Sequence, residues 1–172
     1  KVMKYLANQP YKMIDTMALK RSAYFKVFPI YRGIVPLFAP LFFNKKDSLY
    51  RYRANSKLPK KKPSKLAFKG NLFVFMDAAS YSATAFTICL LKDMDRAEFI
   101  GEHPGGANWG SHAGSWYTAK LPNSKIRVRI PEYRIVHSRK ESSHNTFFVQ
   151  PDIAVQYSMD SFIKDEDAYL KA

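Results

Sequence analysis

Ser82 is the residue of this chain that is best placed to do chemistry, because it lies between a strand pattern and a helix pattern. Residues 71–76 read Asn-Leu-Phe-Val-Phe-Met, which predicts a buried strand, and residues 83–94 carry apolar side chains at helical intervals. Free N–H groups at the start of a helix can stabilise an oxyanion that forms when a hydroxyl attacks a carbonyl. The sequence therefore makes Ser82 a candidate nucleophile, while helix capping by Ser80 or Ser82 explains the same position.

The elements that would hold this serine alternate between strand and helix patterns, which predicts an α/β fold. The length of 172 residues, with 47% hydrophobic and 15% aromatic residues, is enough for a sizeable core and predicts one domain over residues 1–172. The predicted elements are a helix at 1–8, a strand at 11–20, a proline-punctuated helical region at 23–43, strands at 71–77 and 97–100 around a helix at 83–94, a glycine-rich loop at 105–110, a hairpin of 115–121 with 125–135, a strand at 153–156 and a helix from about Asp165.

Cysteine use and hydropathy exclude two classes of structure. Cys89 is the only cysteine, so an intramolecular disulfide is excluded, and its place in the predicted helix favours a buried, small apolar side chain. The longest uncharged apolar run, at residues 33–43, contains two prolines and is too short to span a membrane.

Positive charge is concentrated in residues 45–69, which contain ten Lys or Arg and one acid within a chain of net charge +14. Residues 48–53 alternate as a strand, 59–63 read as a loop tip, and 66–68 could return as the partner strand, which predicts a basic hairpin insertion. Lysines on such a strand discourage edge-to-edge pairing. The alternative is attraction of a membrane surface or an acidic partner, whereas a nucleic-acid partner is not expected.

Five ordered motifs resemble those of the C-terminal-processing, or tail-specific, serine peptidases. They are Ser-Tyr-Ser-Ala-Thr-Ala at 80–85, Leu-Lys-Asp at 91–93, Phe-Ile-Gly-Glu-His-Pro-Gly-Gly at 99–106, Leu-Pro-Asn-Ser at 121–124 and Val-Gln-Pro-Asp-Ile at 149–153. The resemblance covers residues 70–172.

This resemblance implies a fold, a location and a substrate. The fold is the layered spiral sheet shared with crotonase-like and Clp-protease-like enzymes, and the chain would form the C-terminal part of such a catalytic domain. The family's Asp-x-Arg-x-Asn-x-Gly-Gly loop does not occur here, so we expect the chain to begin inside a longer domain. The implied protein is an extracytoplasmic enzyme of the periplasm or cell envelope that acts on polypeptides without a cofactor.

Site roles carried over from the family fall on a short part of the chain. Ser82 would be the nucleophile of a serine peptidase, and the backbone N–H of Ala83 would donate to the oxyanion. Gly105 and Gly106 would belong to the family's glycine-rich loop. Ala85 stands where the family has glutamate, a departure that leaves the nucleophile in place.

The general base does not follow the commonest family pattern. A lysine is expected twenty-five residues after the serine, but that position is Ala107, and no lysine lies between Asp93 and Tyr117. A second branch, resembling the tricorn core protease, takes a histidine from upstream and a glutamate from just before the Pro-Asp motif, where this chain has Asn145. We therefore expect a histidine outside these residues to act as base, with Asp93, His144 and Asn145 as supporting candidates.

The remaining histidines do not predict a metal site. His103, His112, His137 and His144 lack the spacing of a zinc motif on one helix face, so loop histidines are the simpler interpretation.

The sequence as a whole leaves two functional hypotheses. One is a serine endopeptidase that forms an acyl-enzyme on Ser82, and the other is an inactive relative that binds peptides and recruits an acidic partner through its basic hairpin. The sequence makes no prediction of oligomeric state.

Overall fold

The computed structural model describes residues 2–20, 40–46, 49–53, 59–137, 146–156 and 158–169. The predicted α/β class is confirmed, since helices and strands both occur within these residues. The following elements are described over their full length. In chain order they are α1 (Met3–Leu6), β1 (Ile14–Lys20), β2 (Phe43–Lys46), β3 (Leu49–Tyr52), β4 (Phe73–Met76), α2 (Ala83–Asp93), β5 (Glu98–Gly101), β6 (Gly110–Lys120), β7 (Arg127–His137), β8 (Ile153–Ala154) and α3 (Met159–Ile163).

The chain divides into two compact units rather than one. Unit 1 comprises Lys1–Met13, Lys60–Trp109 and Arg139–Ala172, and unit 2 comprises Ile14–Pro59 and Gly110–Ser138. That both units belong to one catalytic domain stays a prediction. Ser82, Ala83 and the glycine-rich loop all lie in unit 1.

Unit 1 contains a parallel sheet in the order β4-β5-β8, with α2 as the crossover between β4 and β5. The apolar spacing of α2 buries Ile88, Cys89, Leu90 and Leu91, and Phe99 of β5 packs in the same core with no exposed surface. Cys89 is fully buried, which confirms the interpretation of this residue as a core side chain. The core thus holds the start of α2 at a fixed position after β4.

Unit 2 is an antiparallel sheet in the order β2-β3-β1-β7-β6. Its buried centre is Leu19, against which Phe43, Tyr50 and Tyr133 pack. The predicted hairpin of 115–121 with 125–135 exists as β6 and β7, but β6 begins five residues earlier than predicted and β7 is shifted by two residues.

The strand pairing predicted for the basic hairpin is wrong. The predicted strand at 48–53 is present as β3, but its partners are β2 and β1, and residues 66–68 form a turn and coil in unit 1. The loop at 59–63 is held in unit 1 by reciprocal backbone hydrogen bonds between Lys61 and Tyr11, of 2.7 and 2.9 Å. Distant partners decide these pairings, and the local alternation of residues 48–53 carries no information about them.

Two further predicted elements are the C-terminal helix and the helical region at 23–43. Helix α3 begins at Met159, where Ser158 accepts a hydrogen bond from the N–H of Ser161 and so caps it. The helix predicted from about Asp165 is not formed at residues 165–168, and residues 170–172 lie outside the described residues. Most of the helical region predicted at 23–43 lies outside the described residues. Among the described residues, no helix is long and apolar enough to cross a membrane.

Candidate active site

Ser82 lies at the turn between β4 and α2 in a conformation that L-residues rarely adopt. Its φ is +55° and its ψ is −122°, and it is the residue immediately before the first turn of α2. Its side chain makes no capping hydrogen bond, and the residue is exposed. Helix capping therefore does not explain Ser82, and its hydroxyl is held at the surface by a strained backbone.

Ser80 has a structural role in the same turn. Its hydroxyl donates to the Asp77 carboxylate at 2.9 Å and accepts from the Asp77 N–H at 3.3 Å, while its own N–H donates to the Asp77 carbonyl at 2.9 Å. These bonds close the turn that follows β4 and engage the Ser80 hydroxyl. Of the two serines, Ser82 is the one whose side chain the turn leaves available.

The glycine-rich loop packs directly on this turn. A Cβ on Gly105 would lie 2.1 Å from the Ala78 carbonyl oxygen, and one on Gly106 would lie 2.4 Å from the Ala85 Cβ and 3.8 Å from the Ser82 nitrogen. Both contacts are too close for any side chain at residues 105 and 106. The glycines therefore support the turn, and the small Ala85, where the family has glutamate, leaves room for them.

The N–H of Ala83 is the first N–H of α2, and it has no acceptor within the helix. It follows Ser82 directly, so the hydroxyl and this donor lie at the same end of α2. The positive end of the helix dipole favours negative charge there. The arrangement fits an oxyanion that forms on a carbonyl oxygen when the Ser82 oxygen bonds to the carbonyl carbon.

Asn108 ties the glycine-rich loop to α2 and to the segment before β8. The residue is 2% exposed, its side-chain amide donates to the Thr146 hydroxyl at 3.0 Å, and its N–H donates to the Phe147 carbonyl at 2.7 Å. The Cys89 thiol donates weakly to the Asn108 side-chain oxygen at 3.6 Å. Sequence reasoning missed this residue, because the signal is a buried polar side chain and burial is not visible in the loop sequence.

The two most family-like motifs meet through an ion pair. Lys92 of the Leu-Lys-Asp motif donates to the carboxylate of Asp152 in the Pro-Asp motif, and the other oxygen of Asp152 accepts from the Phe99 N–H at 3.0 Å. Asp152 also donates its own N–H to the Phe99 carbonyl at 2.8 Å. These motifs therefore join α2, β5 and β8, which explains their residue types without a role in chemistry.

Burial raises the pKa of Asp152, but the hydrogen bonds from Lys92 and the Phe99 N–H and the charge of Lys92 outweigh it, so the pKa lies below its ordinary value. The carboxylate is therefore the favoured form in the folded protein. Asp93 ends α2, and eleven residues at 1.5 Å each place it roughly 16 Å along the axis from Ser82. Asp93 thus lies at the far end of α2 from the serine, and its supporting role stays a prediction.

No hydrogen bond joins Ser82 to His103, the histidine of unit 1 within the described residues. The ring of His103 stacks on Phe148, with 4.5 Å between centroids, and its Nδ1 lies 3.4 Å from the Pro104 oxygen. His144 and Asn145, the predicted supporting residues, lie outside the described residues. No group of three or more His, Cys, Asp or Glu that could hold a metal occurs in the described part of the chain.

An exposed, strained serine between a strand and a crossover helix is an arrangement that also occurs in serine hydrolases, which attack carbonyl groups. The chain belongs to Peptidase family S41, whose model matches residues 35–155. The family resemblance in the motifs is thereby confirmed. No curated protein matches the chain.

Solved structures show the same fold. A provisionally assigned peptidase from Parabacteroides merdae is 16% identical with a TM-score of 0.58, covering 99% of this chain and 44% of its own. Mature CPAF in complex with lactacystin is 13% identical with a TM-score of 0.58, covering 99% and 38%. Another structure of mature CPAF is 12% identical with a TM-score of 0.50, covering 93% and 36%. The chain spans less than half the length of each.

Proposed function

We propose that the protein is a serine endopeptidase of the tail-specific type that cleaves polypeptides through an acyl-enzyme on Ser82. The observation that carries the proposal is the positive φ of this exposed serine directly before the first N–H of α2. Strain of this kind is retained where the surrounding structure fixes it, and it concentrates at functional sites. Membership of a peptidase family supports the same reaction class.

The reaction begins when the Ser82 oxygen attacks the carbonyl carbon of the peptide bond while a base takes the hydroxyl proton. The N–H of Ala83 donates to the resulting oxyanion, and the base returns the proton to the leaving amine. Water then attacks the acyl-enzyme, and Ser82 recovers its proton. We propose that the base is a histidine supplied from outside these 172 residues, with Asn145 as its orienting partner, because residue 107 is alanine rather than lysine.

The substrate is proposed to be an unfolded or extended polypeptide, and the location extracytoplasmic, in the periplasm or cell envelope. Both rest on the family likeness. A segment without stable structure could reach a serine at the end of a strand, and a folded domain would have to open first.

The test is cleavage of an unfolded, fluorescently quenched polypeptide by the full-length protein. Ser82→Ala is expected to reduce kcat/KM by a factor of at least roughly 1000, because the nucleophile is lost. Ser80→Ala is the matched control, since it removes a hydroxyl from the same turn, and it should keep activity within about tenfold. Equal activity of wild type and Ser82→Ala would remove Ser82 from the mechanism.

Two residues favour the alternative that the protein is catalytically inactive, so we retain peptide binding as a second candidate function. Ala107 replaces the expected lysine, and Ala85 replaces the glutamate. In this alternative the protein binds peptides without cleaving them and serves as a scaffold. Saturable binding of the unfolded polypeptide to wild type and Ser82→Ala alike, with no cleavage by either, would favour it.

A further inference from the structure

The distal part of the β6–β7 hairpin forms a two-stranded ribbon that projects from the sheet of unit 2. The pairing of β7 with β1 ends at Tyr133, whereas its pairing with β6 continues to Arg127. No described strand pairs with the ribbon at 116–130 on either side, and nearly all of its residues are exposed. An isolated two-stranded ribbon is only marginally stable in water, so a surface that packs against this ribbon would stabilise it.

The two faces of the ribbon differ in chemistry. Residues directly opposite each other share a face, so Tyr117 with Ile130 and Ala119 with Val128 form one face, and Leu121 with Ile126 continues it at the turn. Four of its apolar side chains are 39% to 59% exposed: Leu121, Ile126, Val128 and Ile130. These four side chains therefore form an exposed apolar surface within the described residues.

The opposite face is cationic and aromatic. Thr118 lies opposite Arg129, and Lys120 lies opposite Arg127, with Trp116 one pair further from the turn. The Arg129 guanidinium lies 5.1 Å from the centre of the Trp116 ring, which places both on this face. Residues 103–131 contain no acid at all. The ribbon is therefore amphipathic and carries positive charge only.

Charge over the whole of unit 2 has the same sign. The unit contains fourteen Lys or Arg and three Asp or Glu, a net charge of +11, whereas unit 1 has fourteen and eleven, a net charge of +3. Most of the net positive charge of the protein thus lies in the unit that carries the ribbon, and the lysines of residues 60–69 belong to unit 1 instead. A second copy of this chain would be repelled by the same charge.

We propose that the ribbon at residues 116–130 is a docking surface for an anionic phospholipid membrane. The exposed apolar side chains would enter the interfacial layer, while Lys and Arg, whose long stems can bend around the edge of the ribbon, would contact the phosphate groups. Tyr117, on the apolar face, is a side chain that favours this layer, and Trp116, beside Arg129 on the cationic face, would lie near the phosphate groups.

The test is co-sedimentation of the full-length protein with vesicles of phosphatidylcholine alone or mixed with phosphatidylglycerol. Wild type should bind the mixed vesicles, with affinity that falls as salt rises, and should bind phosphatidylcholine at least roughly tenfold more weakly. Replacing Lys120, Arg127 and Arg129 together by Gln should weaken binding by roughly 10- to 100-fold. Replacing Ile126 and Ile130 together by Ser should weaken it by at least roughly fivefold.

The matched control replaces Lys60, Lys61 and Lys62 by Gln, which removes the same charge from unit 1. It should change vesicle affinity by less than about threefold. Equal loss in both triple variants, equal binding to the two kinds of vesicle, or binding to poly-glutamate with no effect of the Ile126 and Ile130 change would overturn the proposal. Circular dichroism of each variant shows whether the fold is kept, and a Trp fluorescence shift lost in Trp116→Phe gives a second readout.

Vesicle binding is independent of the proposed peptidase activity. Ser82→Ala should bind the mixed vesicles as wild type does, so failure of one proposal leaves the other testable.

Discussion

At Ser82 the protein retains a backbone conformation that costs about 1–3 kcal/mol for a residue with a Cβ. The turn around it accounts for that retention, because Ser80 and Asp77 close it on one side and Gly106 packs on the other. A simple helix cap would require no such strain and would use its hydroxyl in a capping bond. The residue thus has the properties of a positioned nucleophile.

Ser82→Gly separates the strain from the chemistry. Glycine adopts positive φ without cost, so the variant should be more stable than Ser82→Ala by about 0.5–1 kcal/mol, and both should lack peptidase activity. Urea denaturation of the two variants measures the difference. Ser80→Gly against Ser80→Ala is the control, since Ser80 has no positive φ; a stability gain at Ser80 as large as that at Ser82 would contradict the role of strain.

Gly106→Ala changes the glycine-rich loop and should displace the start of α2, where Ser82 lies. Its Cβ would overlap the Ala85 Cβ and press on the start of α2, so we expect a loss of about 1–3 kcal/mol in unfolding free energy and a reduced kcat. Gly70→Ala is matched, because a Cβ there meets only the tip of the exposed Phe68 ring, which can move away. Similar losses in the two variants would argue against a specific role for the loop.

At the scale of elements, the Lys92–Asp152 ion pair joins α2 to β5 and β8 and makes a prediction about acid stability. Asp152 has a folded-state pKa below its ordinary value, so the contribution of its carboxylate is complete above that ordinary value and is lost as pH falls through the folded one. Asp152→Asn should lower the unfolding free energy at pH 7 by about 0.5–1 kcal/mol and flatten its decline below about pH 4.

Denaturant unfolding at a series of pH values measures this effect. Glu98→Gln is the control, since Glu98 is an exposed carboxylate on the neighbouring strand. If both variants follow the wild-type pH dependence, the ion pair contributes nothing to the coupling of these elements.

Several elements could be predicted from the sequence because local patterns specify them. The apolar spacing of α2 and the alternation in β6 and β7 gave these elements to within a few residues. The partners of β3 could not be predicted, since a strand pattern states nothing about which distant strand completes it. The candidate site likewise combines features that local sequence predicts with features that depend on distant parts of the chain.

Ser82 and the two loop glycines were identified from motifs, but the features that support them depend on tertiary structure. The positive φ of Ser82 and the burial of Asn108 arise from packing. The partner of Lys92 lies sixty residues along the chain. The length of α2 places Asp93 at the far end of the helix, and motif matching alone does not take the length of a helix into account.

At the scale of the whole molecule, the two units differ in how much core they contain. Eleven buried residues form the core cluster of unit 1, whereas the cluster of unit 2 has Leu19 as its single fully buried member among the described residues. Opening part of unit 2 should therefore cost less free energy than opening unit 1.

Hydrogen–deuterium exchange followed by mass spectrometry checks this expectation. Amides of the ribbon at 116–130 should exchange at least roughly 100-fold faster than those of 88–91 in α2, because within the described residues no third strand pairs with the ribbon and its side chains are largely exposed. Anionic vesicles should slow the exchange of the ribbon. Equal protection of the two segments without vesicles would show that the ribbon is already covered.

The central claim is that Ser82 is an activated nucleophile, and covalent labelling tests it most directly. The full-length protein is treated with a fluorophosphonate, which reacts with activated serines, and the labelled site is identified by peptide mass spectrometry. We predict one label, on Ser82, retained in Ser80→Ala and lost in Ser82→Ala. A label on another serine, or no label under conditions in which the protein is folded, would contradict the claim.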